Sequence, residues 1–509
     1  MSGLVVIYGP GEGADLDVMS QKMVHRGPHF AGRFEGGAVL MGQNYLRGDL
    51  YSGSVEVETG GVPVGESGGG NLHICYDGQM GNWKHLSRNS DIPDDAFREE
   101  RLLLSLYRWH GSRMLDRLDD AVFALVISDG DHLFAARDLL GIKTLFYGRK
   151  NGALYLASEL KSLRAVTEDV NEFPPGHFMD EKGRLTAFAS LPQSPPPQTG
   201  DNPETAAATI TDIVDRSLRS RIDFSVPTGS LLSGGIDSSV IATLAARLLR
   251  ETAGPDARLK TFAMGVGESQ DIINARLVAE KIQSEHHELM VDLDQMLAVL
   301  PEVVYHLESF DPSLVRSSVS NFLISKYARE KGIDVLLSGE GGDEVFCGYI
   351  YLKKFPLEEQ FARQMECIGF LHSNASLRLD RMNHCNGVRV VAPLISGELL
   401  RYAMTLPPEY KQRPENGYKI EKWIFRKAFA PMLPDEVAWR IKQEFSQGSG
   451  SADVLPAYFE EKVSDEELSR ARSKYPMIRS KEELHYFNIF VENFGDGQAV
   501  DTVGQWISL

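Results

Sequence analysis

Two patterns of apolar and polar positions divide the chain. Up to about residue 189, short apolar runs alternate with turn-forming residues, and residues 4–8, 38–41, 72–76, 121–127, 133–136 and 154–157 read as strands. One helix is predicted there, over residues 98–110, with Leu102, Leu103, Leu106 and Tyr107 on its apolar face. Strands with a helix packed outside them predict a layered α+β domain. After residue 205 the period changes. Apolar runs at 231–232, 261–266, 288–291 and 335–337 read as strands, and 206–220, 240–250 and 271–281 have helical spacing. That alternation predicts an α/β domain, a parallel sheet with helices on both faces and a ligand site beyond the strand C-termini. Beyond Leu352 the pattern is mostly helical and reads as a lobe capping that site. Between the two regions lies a proline-rich connector around Pro195-Pro196-Pro197. The predicted domains are therefore 1–190 and 205–509, with 191–204 as linker.

Composition narrows the class of protein. A length of 509 residues calls for two or three domains. The formal net charge of −18 argues against a nucleic-acid surface, which needs a basic stripe. Cys75, Cys347, Cys367 and Cys385 have neither C-x-x-C nor zinc spacing and read as reduced core thiols. The first residues lack a basic region and a cleavage site, and no apolar run reaches the length of a membrane span. A soluble cytoplasmic protein, with neither nucleic acid nor membrane as partner, is the expectation.

The candidate chemistry starts at Leu232-Ser233-Gly234-Gly235-Ile236-Asp237-Ser238-Ser239, an apolar strand end, a glycine turn and a helix start. Two residues without Cβ let backbone N–H groups close around an anion. Three serine hydroxyls and the helix N-terminus aim at the same point. No lysine follows the glycines, so this is not a Walker A loop. Asp237 beside a phosphate needs a cation such as Mg²⁺ between them. The loop is similar to the SGGxDS loop of ATP pyrophosphatases. A second turn, Ser338-Gly339-Glu340-Gly341-Gly342-Asp343-Glu344, carries three acids, which suit a metal ligand and a base or, alone, a solvated acidic turn.

The second turn and its continuation to Tyr349 resemble the SGEGSDEVFGGY motif of asparagine synthetases. Trp439-Arg440-Ile441-Lys442 and the residues up to Gly450 resemble that family's WRxKEQFSDGVG string. In the first half, His25-Arg26-Gly27-Pro28, the run from Ala136 to Tyr147, the run from Leu154 to Leu163 and Phe173-Pro174-Pro175-Gly176 are similar to its class II glutamine amidotransferase domain. The resemblance implies an Ntn-type layered sandwich followed by an ATP-pyrophosphatase domain, with ATP and Mg²⁺ as cofactors. It implies Asp237 and Asp343 as metal ligands, Glu340 near the acceptor amine, and Lys442 on the pyrophosphate and the tetrahedral intermediate. Leu232, Ser233, Gly234, Gly235, Asp237, Ser238, Ser239, Met264, Gly339 and Lys422 would contact the nucleotide, and Asp271 also matches.

The glutaminase half departs from its family. Those domains use an N-terminal cysteine whose α-amine is the base; here Ser2 stands there. The Asn-Gly oxyanion pair reads Asp77-Gly78, and a carboxylate opposes an oxyanion. The arginine that holds the glutamine carboxylate aligns with Tyr45, with Arg47 nearby, and of the glutamine-binding loop only Glu99 keeps an acid. Loss of glutaminase activity is the expectation.

The acceptor side departs too. An HMYD-like segment reads His372-Ser373-Asn374-Ala375. The arginine of an RVPFLD segment has become Val391, with Arg389 near it, whereas Arg316-Ser317-Ser318 keeps its match. These changes predict an ATP-dependent amide-forming ligase acting on a small amino-acid-like substrate other than aspartate. Ring closure of the kind β-lactam synthetases perform is the first expectation, a tabtoxin-type member being one candidate. An ammonia- or amine-dependent intermolecular ligase is the alternative. Those synthetases place a tyrosine where Glu340 stands; Glu366 is the candidate partner for Glu340. A homodimer is the candidate assembly.

Overall fold

The computed structural model describes residues 2–46, 72–88, 92, 97–267, 269–442 and 454–506. It forms two compact units, Met1–Leu191 with Phe494–Thr502, and Pro192–Asn493 with Val503–Leu509. The sequence pattern places the domain change near residue 190; nothing in it shows that Phe494–Thr502 belongs to the first unit.

The first unit is built from two antiparallel sheets. One has six strands, in the order Phe30–Gly36, Val39–Tyr45, Ser2–Tyr8, Ala153–Ala157, Phe146–Lys150 and Asn171–Glu172. The other has five, in the order Leu185–Ala187, His177–Asp180, Leu133–Arg137, Ala121–Ser128 and His73–Met80. Successive strand residues face opposite sides. Leu4, Val6, Met41 and Leu156 of one sheet thus meet Cys75, Val126 and Ala135 of the other in a buried core. The alternate positions Ile74, Tyr76, Leu125 and Ile127 pack under the helix Arg98–His110 through Leu102 and Leu103. Helices Gly13–Gln21 and Leu160–Arg164 pack against the six-stranded sheet. The unit is a layered α+β sandwich.

The second unit holds a five-stranded, all-parallel sheet ordered Glu285–Val291, Lys260–Val266, Thr228–Leu231, Val335–Leu337, Arg389–Val391. In chain order this is 3-2-1-4-5. Right-handed crossovers therefore put helices on opposite faces to either side of the first strand, and a crevice opens where the order reverses, between Leu231 and Leu337. The first strand lies earlier than its apolar residues suggest, at Thr-Gly-Ser-Leu, because the sheet centre tolerates Gly229 and Ser230 between two apolar neighbours. Arg389–Val391, read in sequence as part of an acceptor pocket, is an edge strand with Val391 buried against Leu337. Among the described residues no helix is long and apolar enough to cross a membrane. The four cysteines form no disulfide, and burial pushes the Cys75 thiol up to about 12 and that of Cys347 up to about 11.

The helix Lys481–Phe494 carries a titratable group that the core holds protonated. Burial pushes the Glu482 carboxyl up to about 7, with Arg316 at 3.6 Å and the Tyr486 hydroxyl at 2.8 Å offsetting part of that. The folded chain then keeps a proton that the unfolded chain releases above its ordinary value of 4.5. This contribution to stability is complete below that value and is lost as pH rises toward about 7. The unfolding midpoint of the natural protein should fall between about pH 5 and pH 8 relative to that of Glu482→Gln. Parallel denaturation profiles of the two proteins over that range would contradict it.

Candidate active site

Each half of the crevice is a strand followed by a glycine loop. Gly234 has φ +67°, and a Cβ there would stand 2.6 Å from Asn274 Cβ, so the turn against the helix Gln270–Ile282 admits only glycine. Gly235 caps the helix Ile236–Ala253 without a side chain, so no side-chain oxygen occupies the first-turn N–H groups. Ser238 Oγ accepts the Ser233 N–H at 3.1 Å and lies 3.0 Å from Ser233 Oγ, which closes the loop. On the other strand, Gly341 in a left-handed conformation turns the chain into the short helix Gly342–Val345. Gly342 lies so close to the Asp237 carboxylate that a Cβ would overlap it.

Two lysines join the halves. Lys422 follows the hairpin Gln412–Glu415/Tyr418–Glu421, whose Asn416-Gly417 turn has both φ angles positive. Lys422 itself is left-handed, at φ 54°, and wholly buried. Its Nζ lies 2.5 Å from Asp237 Oδ2 and 2.7 Å from Asp343 Oδ1, and Lys442 Nζ lies 2.7 Å from Asp343 Oδ2. Burial alone would raise the Asp343 carboxyl, but the two ammonium groups outweigh it and hold it well below the usual carboxylate range. Burial would lower the Lys442 ammonium, and Asp343 and Asp237 reverse that and raise it. Arg440 donates to the Gly234 carbonyl at 3.0 Å and pairs with Asp271 at 2.7 Å. Burial raises the Asp271 carboxyl, with Arg440 partly offsetting it. The cradle therefore has a cation on its rim as well as N–H groups in its floor.

Ser233, Gly235, Asp237, Ser238, Gly339, Glu340, Asp343, Lys422 and Lys442 line one cavity. Leu232, Gly234, Met264 and Ser239 do not line it: Leu232 and Ser239 are wholly buried, and Met264 lies inside the strand Lys260–Val266. Glu366 is on the helix Gln360–Gly369 and pairs with Arg363 at 3.0 Å, so it is not the partner of Glu340. The residue paired with Glu340 is Arg378, also on the cavity wall. Asn374 and Ala375 line the cavity, as does Ser317, whereas Arg316 turns to Glu482. Residues 443–450 of the Trp439 string and Arg47 lie outside the described residues. Sequence reasoning passed over Arg378, Arg440, Tyr349 and Trp506. A signal existed for Arg440, two places before Lys442 in a matching string; for Trp506 there was none.

Divalent magnesium takes oxygen ligands and keeps several for water and phosphate. Asp237 and Asp343 converge on one cationic position, now held by Lys422 Nζ, and Asp237 Oδ1 is buried without a hydrogen-bond partner. Two carboxylates and substrate phosphates make a donor set that fits Mg²⁺. Among the described residues no larger group of acids, histidines or cysteines could hold a metal.

The first unit places Ser2 at the start of its strand, wholly buried, with Oγ lacking a hydrogen-bond partner. The Ser2 backbone N–H donates to Asp77 Oδ1 at 3.1 Å, and Arg26 pairs with Asp77 Oδ2 at 2.7 Å and with Glu159 at 2.9 Å. His25 at 2.8 Å and Lys161 also contact Glu159, and Lys143 lies 3.6 Å from Asp77. Arg26 and Asp77 have no exposed surface. Tyr45 is buried edge-on against Phe97, and Glu99 accepts hydrogen bonds from the Tyr76 hydroxyl at 2.6 Å and the Met80 N–H at 3.2 Å.

This pairing of a layered amidotransferase-like unit with a nucleotide crevice has counterparts among known proteins. The asparagine synthase model matches residues 209–368 and 358–487, and the glutamine amidotransferase domain model matches residues 1–187. A probable glutamine-hydrolysing asparagine synthetase of Schizosaccharomyces pombe is 32% identical, over 96% of this chain and 92% of its own length. Asparagine synthetase 1 of Saccharomyces cerevisiae is 31% identical over the same shares, and that of Gallus gallus is 31% identical over 97% and 94%. The chain belongs to the asparagine synthase family. Enzymes of this family are ATP-dependent carbon–nitrogen ligases that form AMP and pyrophosphate.

Proposed function

We propose that the chain adenylates the carboxylate of an amino-acid-like substrate and that an amine of the same molecule then attacks, closing a ring of the β-lactam type. The observation that carries this reading is the Asp77–Arg26 pair. Where glutamine hydrolysis needs an oxyanion donor, a carboxylate is locked in place by a buried guanidinium. The same carboxylate accepts the Ser2 N–H, so a negative group occupies the place next to which an amine at Ser2 would have to act as base. Tyr45, packed on Phe97, brings no positive charge to a substrate carboxylate, and Glu99 Oε2 is already engaged by the Tyr76 hydroxyl. Without ammonia from glutamine, the amine comes from the substrate.

The reaction is read as two displacements. The substrate carboxylate attacks the α-phosphorus of ATP seated in the Ser233–Ser239 loop, and pyrophosphate leaves. The amine then attacks the acyl carbonyl, and AMP leaves with the amide in place. Bound by Asp237 and Asp343, Mg²⁺ would neutralise charge on the phosphate chain. Lys442 supplies a compact cation to the departing pyrophosphate and to the tetrahedral oxyanion. Glu340, positioned by Arg378, is the acid oriented to receive the proton of the attacking amine.

Product mass tests this directly. With ATP, Mg²⁺ and candidate amino acids, the expected product is the substrate less one water, with no glutamate released from added glutamine. A product whose mass is that of the substrate plus ammonia less water would move the chain to intermolecular asparagine-type synthesis, and glutamine hydrolysis above background would overturn the reading of the first unit.

A further inference from the structure

We propose that the C-terminal tail is part of the active site and that Trp506 is the specificity-determining wall of the acyl-substrate pocket, fitting it to a substrate body longer than that of aspartate. This rests on the ligase reading above, though not on ring closure. Trp506 lines the same cavity as Lys442 and Glu340 and is 8% exposed. Its indole packs with Phe370 at 5.1 Å, Tyr349 at 5.7 Å and Tyr351 at 6.2 Å between ring centroids. Tyr349 shares the cavity wall. Two aromatic side chains packed on each other, Trp506 and Tyr349, are thus among the groups that line the cavity.

The tail is fastened there by polar contacts as well as by packing. The Trp506 N–H donates to Asp311 Oδ2 at 3.0 Å, and the Trp506 carbonyl accepts from Arg479 at 2.9 Å. Arg479 closes the set by pairing with Asp311 at 2.8 Å. The other Asp311 oxygen caps the helix Pro312–Glu330 through the Leu314 N–H at 3.0 Å. That helix carries Ser313 and Ser317 to the cavity. One buried carboxylate therefore fixes both the hydroxyl-bearing wall and the aromatic wall. Two walls anchored to one group hold a constant separation, which is what a pocket needs in order to discriminate by shape.

The chemistry of the wall sets the substrate class. An indole face and a phenol ring offer no countercharge to a second carboxylate held on a single methylene. They do offer apolar area to a chain or ring of several carbons, each methylene changing discrimination by about 10–200-fold in a fitted pocket. The substrate body that satisfies this wall is a longer hydrocarbon segment between the reacting carboxylate and the rest of the molecule.

Substrate-dependent ATP–pyrophosphate exchange tests the assignment, using full-length protein and α-amino acids ranging from aspartate to side chains of four or more carbons. The natural enzyme is expected to favour the longer members. Trp506→Ala should raise their KM about 10–100-fold while leaving the KM for ATP unchanged, and Trp506→Phe should restore most of the loss. Melting curves of the phenylalanine variant show that the tail still docks. Aspartate preferred by the natural enzyme, or equal rises in both KM values, would overturn the proposal. So would unchanged KM values in Trp506→Ala. Exchange reports adenylation alone, so an intermolecular product would sink ring closure and leave this assignment standing.

Discussion

Lys442→Met is expected to lower the rate of amide formation by about 10²–10³-fold, the usual cost of removing one preorganised charge from a developing oxyanion. The lysine is not a solvated surface cation. Its Nζ is 2.7 Å from Asp343, and the local carboxylates keep it charged across all working pH values. Its backbone is fixed by the N–H donated to Glu421 at 3.1 Å, and Glu421 is itself held by Arg426 at 2.6 Å. A methionine keeps the length and removes the charge. Asp343 retains Lys422 at 2.7 Å, so folding should survive the change. Lys442→Arg should not restore activity, because a planar guanidinium cannot occupy the point that an ammonium does. ATP–pyrophosphate exchange and product formation measured together are the check. Rates within threefold of the natural enzyme in both assays would remove Lys442 from the mechanism.

The largest stability effect is expected at Arg26, in the first unit. Arg26→Met leaves Asp77 and Glu159 as buried carboxylates stripped of the guanidinium that both share, at a cost of about 3–5 kcal/mol. The pair is a poor source of net stability compared with apolar packing, but breaking it from one side leaves Asp77 facing the more distant Lys143 ammonium, at 3.6 Å, in place of a guanidinium at 2.7 Å. The first unit should therefore unfold at markedly lower denaturant in Arg26→Met. Asp77→Asn added to that variant should recover part of the loss, since one poorly compensated charge is then gone. Equal unfolding midpoints for Arg26→Met and the natural protein would mean that Asp77 and Glu159 are satisfied by other groups.

Much of the glycine-loop side of the cavity was legible because local rules fix its shape. A strand end, two glycines and a helix start can be recognised within eight residues, and the glycines are required by contacts that any residue with a Cβ would break, as at Gly234 against Asn274. The alternation of apolar runs and helical segments was enough for the parallel sheet. It was not enough for Phe30–Gly36, Phe146–Lys150 or Arg389–Val391, where glycines and charges interrupt the pattern and pairing comes from neighbours far along the chain. The partner of Glu340 was missed for the same reason: Arg378 is 38 residues away and reaches it from another helix. In the first unit, Asp77 was legible as a departure from the family's Asn-Gly pair, but not the guanidinium that holds it there. Trp506 follows a long helix at the end of the chain, and only tertiary packing brings it to the cavity.

The return of Phe494–Thr502 to the first unit bears on how such a chain can evolve. The Val170 N–H of that unit donates to Gln498 Oε1 at 3.3 Å, across a sequence separation of 328. A gene cut once at the proline-rich connector would give a first fragment without this segment, and exchange of the whole unit between genes takes three crossovers in place of one. Deletion of residues 1–191 would likewise leave residues 494–502 in the remaining polypeptide without the unit they belong to. Loss of one catalytic activity by point substitution is thus a far shorter genetic path than loss of the unit that housed it.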